Sequence, residues 1–401
     1  MKFVGLISGT SADGVDAVLL DVEEGTDARR PGVRQLGATH TPMPRWLADE
    51  LREAMADRAS TERVAHLRLH VTRAFILATD ALLEATVTEP AEVTAIGCHG
   101  QTVWHRPPDE DDPGTSLQLL DPALLAAESG VPVVSDFRSA DLAAGGHGAP
   151  LVAWSDALLF GDRGRVRALL NWGGIANVTR VAPGTDLPPL AFDLGPANAL
   201  IDEACRRASR GAEAYDAGGA RARAGRVDDA LLDALLADPY FTREPPRSTG
   251  KEHFGAALVE RVVGAWGQHG DETPDRSGRW NDLIRTFAEL TVRTSAEGIR
   301  RWLPGADEVL VGGGGARNPV LLDGLAAALA PTPVRALTAA DSPSGVDASS
   351  RESAAFALLA WAFLTGRPGN LPEATGAEGR RVLGSFTPAP DRPFRILPDP
   401  R

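Results

Sequence analysis

The stretch Gly9-Thr10-Ser11-Ala12-Asp13-Gly14 gathers hydroxyls, a carboxylate and nearly bare backbone, and Val15 and Asp16 follow it. Small residues leave backbone N–H groups open to an anion, and carboxylates suit a hard divalent cation. That chemistry fits the phosphates of a nucleotide and their metal ion. Gly, Ser and Asp also dominate ordinary turns, but this tip is longer than a two-residue hairpin needs. A second tip, Gly173-Gly174, lies within Arg167–Val181, with Asn177 just beyond it. Two such tips, one early in each half, predict a duplicated nucleotide-binding fold with ATP held between the halves.

Four further stretches carry candidate chemistry. Gly97–Pro107 (GCHGQTVWHRP) places His99, Gln101, Thr102 and His105 after a short β-rich run, the pattern of a ligand-facing loop. For each histidine alone, a hydrogen-bonded structural role is the better reading. In Ser135–Pro150, Arg138 could clamp a carboxylate or a sugar hydroxyl, or could pair with Asp136 or Asp141. In Phe192–Asn198 (FDLGPAN), Asp193 ends a strand, a good place for a general base. Spacing alone slightly favours a helix cap instead. Gly312–Asn318 (GGGGARN) follows a buried strand, and Gly313, Gly314 and Asn318 could approach the adenosine part of a nucleotide. Ser248-Thr249-Gly250-Lys251 lacks the first glycine of a phosphate-binding loop at the required distance and is rejected as one.

Elements able to position these groups follow from periodicity. Apolar runs at Phe3–Ser8, Val15–Val22 and Val33–Thr41 predict a meander, followed by helices over Arg45–Arg58 and Thr61–Thr86. Further strands are expected at Val93–Cys98, Val131–Ser135, Ala168–Val181 (a hairpin), Leu190–Asp193 and Val309–Val311. Further helices are expected over Ala149–Phe160, Asn198–Arg207, Leu231–Ala237, Ala256–Gly267, Asn281–Trp302, Asn318–Leu329 and Ser350–Leu364. Strands alternating with helices predict an α/β protein with mixed sheets. At 401 residues two domains are expected. The boundaries fall at 1–165, completed by a segment from about 350 to 401, and at 166–349.

A net charge of −13 with no dense Lys/Arg cluster argues against a nucleic-acid partner. Cys98 and Cys205 lie far apart with no zinc-like spacing, so reduced thiols are expected. The N-terminus enters a strand directly, and the longest apolar run, Ala354–Leu364, is too short for a bilayer. No membrane association and a cytoplasmic location are therefore expected.

The motifs GLISGTSADGVDA, GCHGQTVWHRP, DFRSADLAAGGHGAPLV, NWGGIANVT, FDLGPAN, STGKEHF, VGGGGARNP and LPEATGA occur here in that order. In this the chain resembles the anhydro-N-acetylmuramic acid kinase family, and the motifs cover essentially its whole length. The resemblance implies a two-domain actin-like ATPase (sugar kinase) fold with an interdomain cleft, use of ATP and Mg²⁺, and a small anhydro sugar as substrate. It implies that Gly9 through Asp16 hold the ATP phosphates, and that Asp193 is the catalytic base. Gln101, Thr102, Arg138 and Glu352 would be sugar- or metal-side contacts; no metal ligand is assigned. A homodimer is an option on the resemblance alone. Leu194, Ala197, His147 and Ala12 stand where Thr, Gly, Gln and Leu are usual. Levoglucosan kinases are similar in the same motifs. Other readings are a non-kinase actin-like ATPase or sugar-binding protein, and a glycoside hydrolase using Asp193 with Glu352.

Overall fold

The computed structural model describes residues 1–9, 11–23, 31–109, 112–161, 164–183, 187, 190–266 and 276–390. Its chain forms two compact units. Unit 1 is Met1–Phe160 with Thr338–Arg401, and unit 2 is Gly161–Leu337.

Unit 1 is built on a mixed sheet of β1 (Lys2–Ser8), β2 (Gly14–Glu23), β3 (Gly32–Pro42), β4 (Val93–Arg106), β5 (Thr115–Leu119), β6 (Val133–Ser135) and β12 (Ser385–Thr387). Among the described residues the order is β12-β6-β4-β1-β2-β3, with β5 paired to the far end of β4. The strands β1, β2 and β3 pair antiparallel, while β4 and β6 continue parallel to β1. β1 and most of β2 are buried along their whole length. Such a pattern belongs to a sheet covered on both faces. One face packs Leu67, Val71, Phe75 and Leu82 of the helix Thr61–Ala85.

Against the other face lies the helix Arg351–Leu364, whose side chains are almost all buried. It lies so close that a Cβ on Gly5 would be 1.9 Å from the Ser353 carbonyl oxygen, and one on Gly97 2.0 Å from that of Phe356. Glycine at both positions is thus a packing requirement.

Unit 2 repeats this plan. Its sheet consists of β7 (Arg167–Trp172), β8 (Ile175–Val181), β9 (Leu190–Pro196), β10 (Glu308–Gly312) and β11 (Val334–Ala336), in the order β11-β10-β7-β8-β9. β7, β8 and β9 pair antiparallel, and β10 and β11 run parallel to β7. The path β9-β8-β7-β10-β11 therefore matches β3-β2-β1-β4-β6 in order and in direction. The helix Arg276–Trp302 supplies Leu283, Phe287, Leu290 and Ile299 to the core of unit 2. The described core is thus a two-unit α/β fold with a mixed sheet repeated in each unit. None of the described helices is long and apolar enough to cross a membrane.

One expectation is corrected. Gly97–Pro107 is no loop after a strand: β4 continues through it to Arg106. The polar residues stay in the strand because β5 pairs with them, with a register shift between Thr102 and Trp104. β5 and the helix Pro122–Ser129 are further elements, beyond those expected from periodicity. That helix has an Asp121 N-cap, Pro122 in its first turn and a left-handed Gly130 at its end.

Candidate active site

In unit 2, Asp193 lies on β9, the last strand of the sheet. Between Asp193 and Gly195 the register against β8 slips by one residue, leaving Leu194 as a bulge. Leu194 turns into the core, where only glycine at 298 on the helix Arg276–Trp302 leaves it room. The bulge re-aims β9 at Asp193, whose partner across β8 is Asn177; Asn177 in turn faces Asn171 on β7. Asn171, Asn177 and Asp193 form one half-buried polar row at the end of the sheet.

Asp193 is held on several sides. The Thr249 N–H donates to its Oδ2 at 3.0 Å, and the Tyr240 hydroxyl donates to its backbone oxygen at 2.8 Å. Arg247 Nε donates to that same oxygen at 3.1 Å, and the Asp193 N–H donates to the Arg247 carbonyl at 3.1 Å. Burial pushes the Asp193 carboxyl up to about 7. The Thr249 N–H and the Arg247 charge draw it back down, while Glu252 adds to the rise. A carboxylate poised near neutrality is suited to taking a proton at physiological pH.

Asp193 does not cap the following helix, Asn198–Ala208, whose N-cap residue is Ala197. The first backbone N–H groups there, those of Ala197, Asn198 and Ala199, donate to the carbonyls of Gly173 and Gly174. The Asn198 amide adds bonds to the Trp172 and Gly173 carbonyls, each at 2.8 Å. FDLGPAN thus fixes the second glycine tip as well as presenting Asp193.

The glycine run after β10 has an internal reason. A Cβ on Gly313 would meet the Trp172 carbonyl oxygen at 2.6 Å, and one on Gly315 would meet Trp172 Cβ at 2.6 Å. Only Gly314 faces open space. Asn318 caps the helix Pro319–Leu329, its Oδ1 accepting from the Val320 N–H at 3.1 Å.

In unit 1, Thr10 lies outside the described residues, and the rest of the first tip is tied to β4. Ser8 Oγ donates to Gln101 Oε1 at 2.6 Å, and Gln101 Nε2 donates to the Gly9 carbonyl at 3.1 Å. Gln101 is fully buried, so both ends of its amide serve the turn. Ala12 is buried at φ 52°, and its N–H donates back to the Gly9 carbonyl. Asp13 accepts from Ser11 Oγ at 2.5 Å, and Asp16 shares a 2.8 Å hydrogen bond with His40 Nδ1. A Cβ at Gly14 would strike the His40 ring. Thr102 is half-buried, and its hydroxyl accepts from Gln118 Nε2 at 3.3 Å.

Arg138 pairs with neither Asp136 nor Asp141 among the described residues. Its Nε donates to His99 Nε2 at 3.0 Å, and its Nη1 donates to the Gly148 carbonyl at 2.5 Å. His99 Nδ1 faces the Gly100 carbonyl at 3.0 Å. This assigns the neutral ring with its proton on Nδ1, consistent with the burial that holds its pKa well below the usual value. Burial, then the Arg138 and His147 charges, push His105 down to about 4. Asp141 instead organises the glycine-rich loop, accepting from the Gly148 N–H, Asn370 and Thr375 at 2.8–2.9 Å. Glu352 is in the first turn of Arg351–Leu364 and is open to solvent. Crowding by neighbouring atoms raises its pKa; Asp16 and Asp156 add to the rise, while Arg351 and Arg138 oppose it. Among the described residues, no set of three or more His, Cys, Asp or Glu is arranged to hold a metal ion.

A family model described as anhydro-N-acetylmuramic acid kinase matches residues 1–389. The chain belongs to the anhydro-N-acetylmuramic acid kinase family. It is 43% identical over 407 residues to the anhydro-N-acetylmuramic acid kinase of Streptomyces coelicolor, covering all of this chain and 96% of that one. It is 43% identical to that of Gloeobacter violaceus, covering 96% and 98%, and 44% identical to that of Bordetella pertussis, covering 96% of each. Solved structures resemble it distantly. A ROK family glucokinase from Streptomyces griseus, in complex with glucose and AMPPNP, is 14% identical with a TM-score of 0.37, covering 90% and 99%.

Nothing local in the sequence marks Tyr240 or Arg247 as partners of Asp193. Thr249 lies in STGKEHF, a motif whose residues meet Asp193 only in the folded chain.

Proposed function

We propose that this chain phosphorylates 1,6-anhydro-N-acetylmuramic acid with ATP while water opens the anhydro ring, and that Asp193 is the general base. The products are N-acetylmuramic acid 6-phosphate and ADP, and the role is in cell-wall recycling. The observation that carries the reading is Asp193: a half-buried carboxylate with a pKa near 7, immobilised by Thr249, Tyr240 and Arg247.

An anhydro sugar has no free 6-hydroxyl, because O6 is bonded to C1. Asp193 takes a proton from a water placed behind C1. The water oxygen bonds to C1 as the C1–O6 bond breaks. The electron pair left on O6 forms the bond to the γ-phosphorus, and the β–γ bridging oxygen departs with ADP. Phosphorus captures the leaving oxygen, so no general acid has to protonate it, in contrast to glycosidases with their pair of carboxylates. Backbone N–H groups of the tips at Gly9–Asp16 and Gly173-Gly174 are suited to the phosphates. Asp13 and Asp16 are the oxygen donors that would hold a magnesium ion together with the phosphates, and such an ion would neutralise charge on the transferring phosphoryl group. Arg138 and Glu352 are the groups we assign to the sugar.

The test is incubation of the anhydro sugar with and without MgATP in ¹⁸O-water, followed by mass spectrometry. The phosphorylated product should form only with MgATP and should carry ¹⁸O at the C1 hydroxyl. Ring opening without ATP would mean a hydrolase. Product lacking the label would overturn the coupled mechanism. Levoglucosan run in parallel should react more slowly; equal or faster turnover would move the substrate assignment.

A further inference from the structure

We propose that Arg247 is a positioning residue for Asp193: it closes the open edge of β9 at that single residue and so fixes the direction of the carboxylate. The inference rests on Asp193 being the base. Among the described residues β9 ends the sheet, so its outer edge presents backbone groups with no strand to pair them. At Asp193 both groups are met by one residue. The Asp193 N–H donates to the Arg247 carbonyl, and the Asp193 carbonyl accepts from Arg247 Nε, each at 3.1 Å. Two opposed bonds of this kind are what a paired strand residue would supply, with a guanidinium nitrogen here replacing a backbone N–H.

The guanidinium is itself immobilised. Its Nη1 donates to the carbonyls of Tyr240, Phe241 and Arg243 at 3.2, 3.1 and 2.7 Å. Its carbon lies 5.2 Å from the Phe192 ring centre and 5.1 Å from that of Tyr240. The side chain is buried. Two residues on, the Thr249 N–H reaches the Asp193 carboxylate. Arg247 therefore couples the backbone of Asp193 to the segment that grips its Oδ2. Lysine cannot do this, because one ammonium on a flexible stem cannot reproduce a rigid fork that serves carbonyls on two sides at once.

The test compares Arg247→Lys, Arg247→Met and Tyr240→Phe with Asp193→Asn, measuring kcat, KM and the pH profile. Arg247, Thr249, Tyr240 and Glu252 are the groups that bear on Asp193, and the Arg301 charge acts on Arg247. Arg247→Lys should lower kcat on the order of 10- to 100-fold, with the KM for ATP nearly unchanged. Arg247→Met should lower kcat similarly and also move the acid limb of the profile to higher pH, because the opposing positive charge is gone. In an Asp193→Asn background, Arg247→Lys should add little further loss, since both act through one carboxylate. Wild-type kcat in a folded Arg247→Lys or Arg247→Met variant would overturn the proposal, and so would fully additive losses. If Arg247→Met does not fold, Arg247→Lys and Tyr240→Phe decide, the latter removing one of the two side-chain donors to the Asp193 carbonyl. Wild-type kcat in a folded Arg247→Lys would still overturn the proposal. An active Asp193→Asn would instead remove the base assignment itself, which separates the two failures.

Discussion

Replacing Asp193 by Asn should cost activity and return stability, and the two effects can be measured on one protein. As general base, Asp193 contributes on the order of 10²–10⁴ in rate, so kcat should fall at least that far while ATP still binds. The stability effect follows from the pKa. The folded value, about 7, lies above the ordinary 3.8. The folded state therefore holds the proton more tightly, and its stabilising contribution is complete below the unfolded pKa. It is lost as pH rises through the folded pKa. Asparagine stays neutral throughout, and its Oδ1 can still accept from the Thr249 N–H. With about 1.36 kcal/mol per pKa unit, the variant should gain about 2 kcal/mol over wild type between about pH 5.5 and about pH 8. Urea denaturation at the two pH values, alongside an ADP-release assay, measures both effects. A stability difference that does not change with pH would refute the raised pKa of the buried Asp193 carboxyl. Near-normal turnover would refute the base.

The same pKa predicts that kcat/KM of the wild type falls on the acid side with a midpoint near 7, since the base must be ionised to act; a flat profile from pH 5 to 8 would contradict it. Gln101→Leu should raise the KM for ATP while leaving the fold intact, because it frees Ser8 and Gly9 at the first tip; initial-rate kinetics and a thermal melt check the two halves of that statement. Gly97→Ala should abolish soluble expression or lower the melting temperature sharply, since its Cβ would lie 2.0 Å from the Phe356 carbonyl oxygen.

The meander, the second hairpin and most helices were legible because their apolar spacing is local. The long reach of β4 was not. His99, Gln101 and Thr102 look like a loop until Gln101 is seen to share its amide with Ser8 and Gly9, and β5 is seen alongside. Asp193 was legible as a candidate but divided between base and cap. What decides against the cap is that Gly173 and Gly174 take the N–H groups at the start of the following helix, a contact between distant segments. Arg247 is 54 residues from Asp193 and carries no motif of its own, so only the folded chain reveals it. The glycine run at 312–315 was read as room for a ligand, whereas Trp172 accounts for Gly313 and Gly315.

The helix that presses on Gly5 and Gly97 comes from residues 351–364, near the other end of the chain. During synthesis the first strands leave the ribosome long before that helix exists. Unit 2 is continuous in sequence, whereas the first sheet must wait with one apolar face uncovered. Chains truncated at residue 350 and released should therefore hold a finished second unit and an unfinished first one, the kind of intermediate that recruits chaperones.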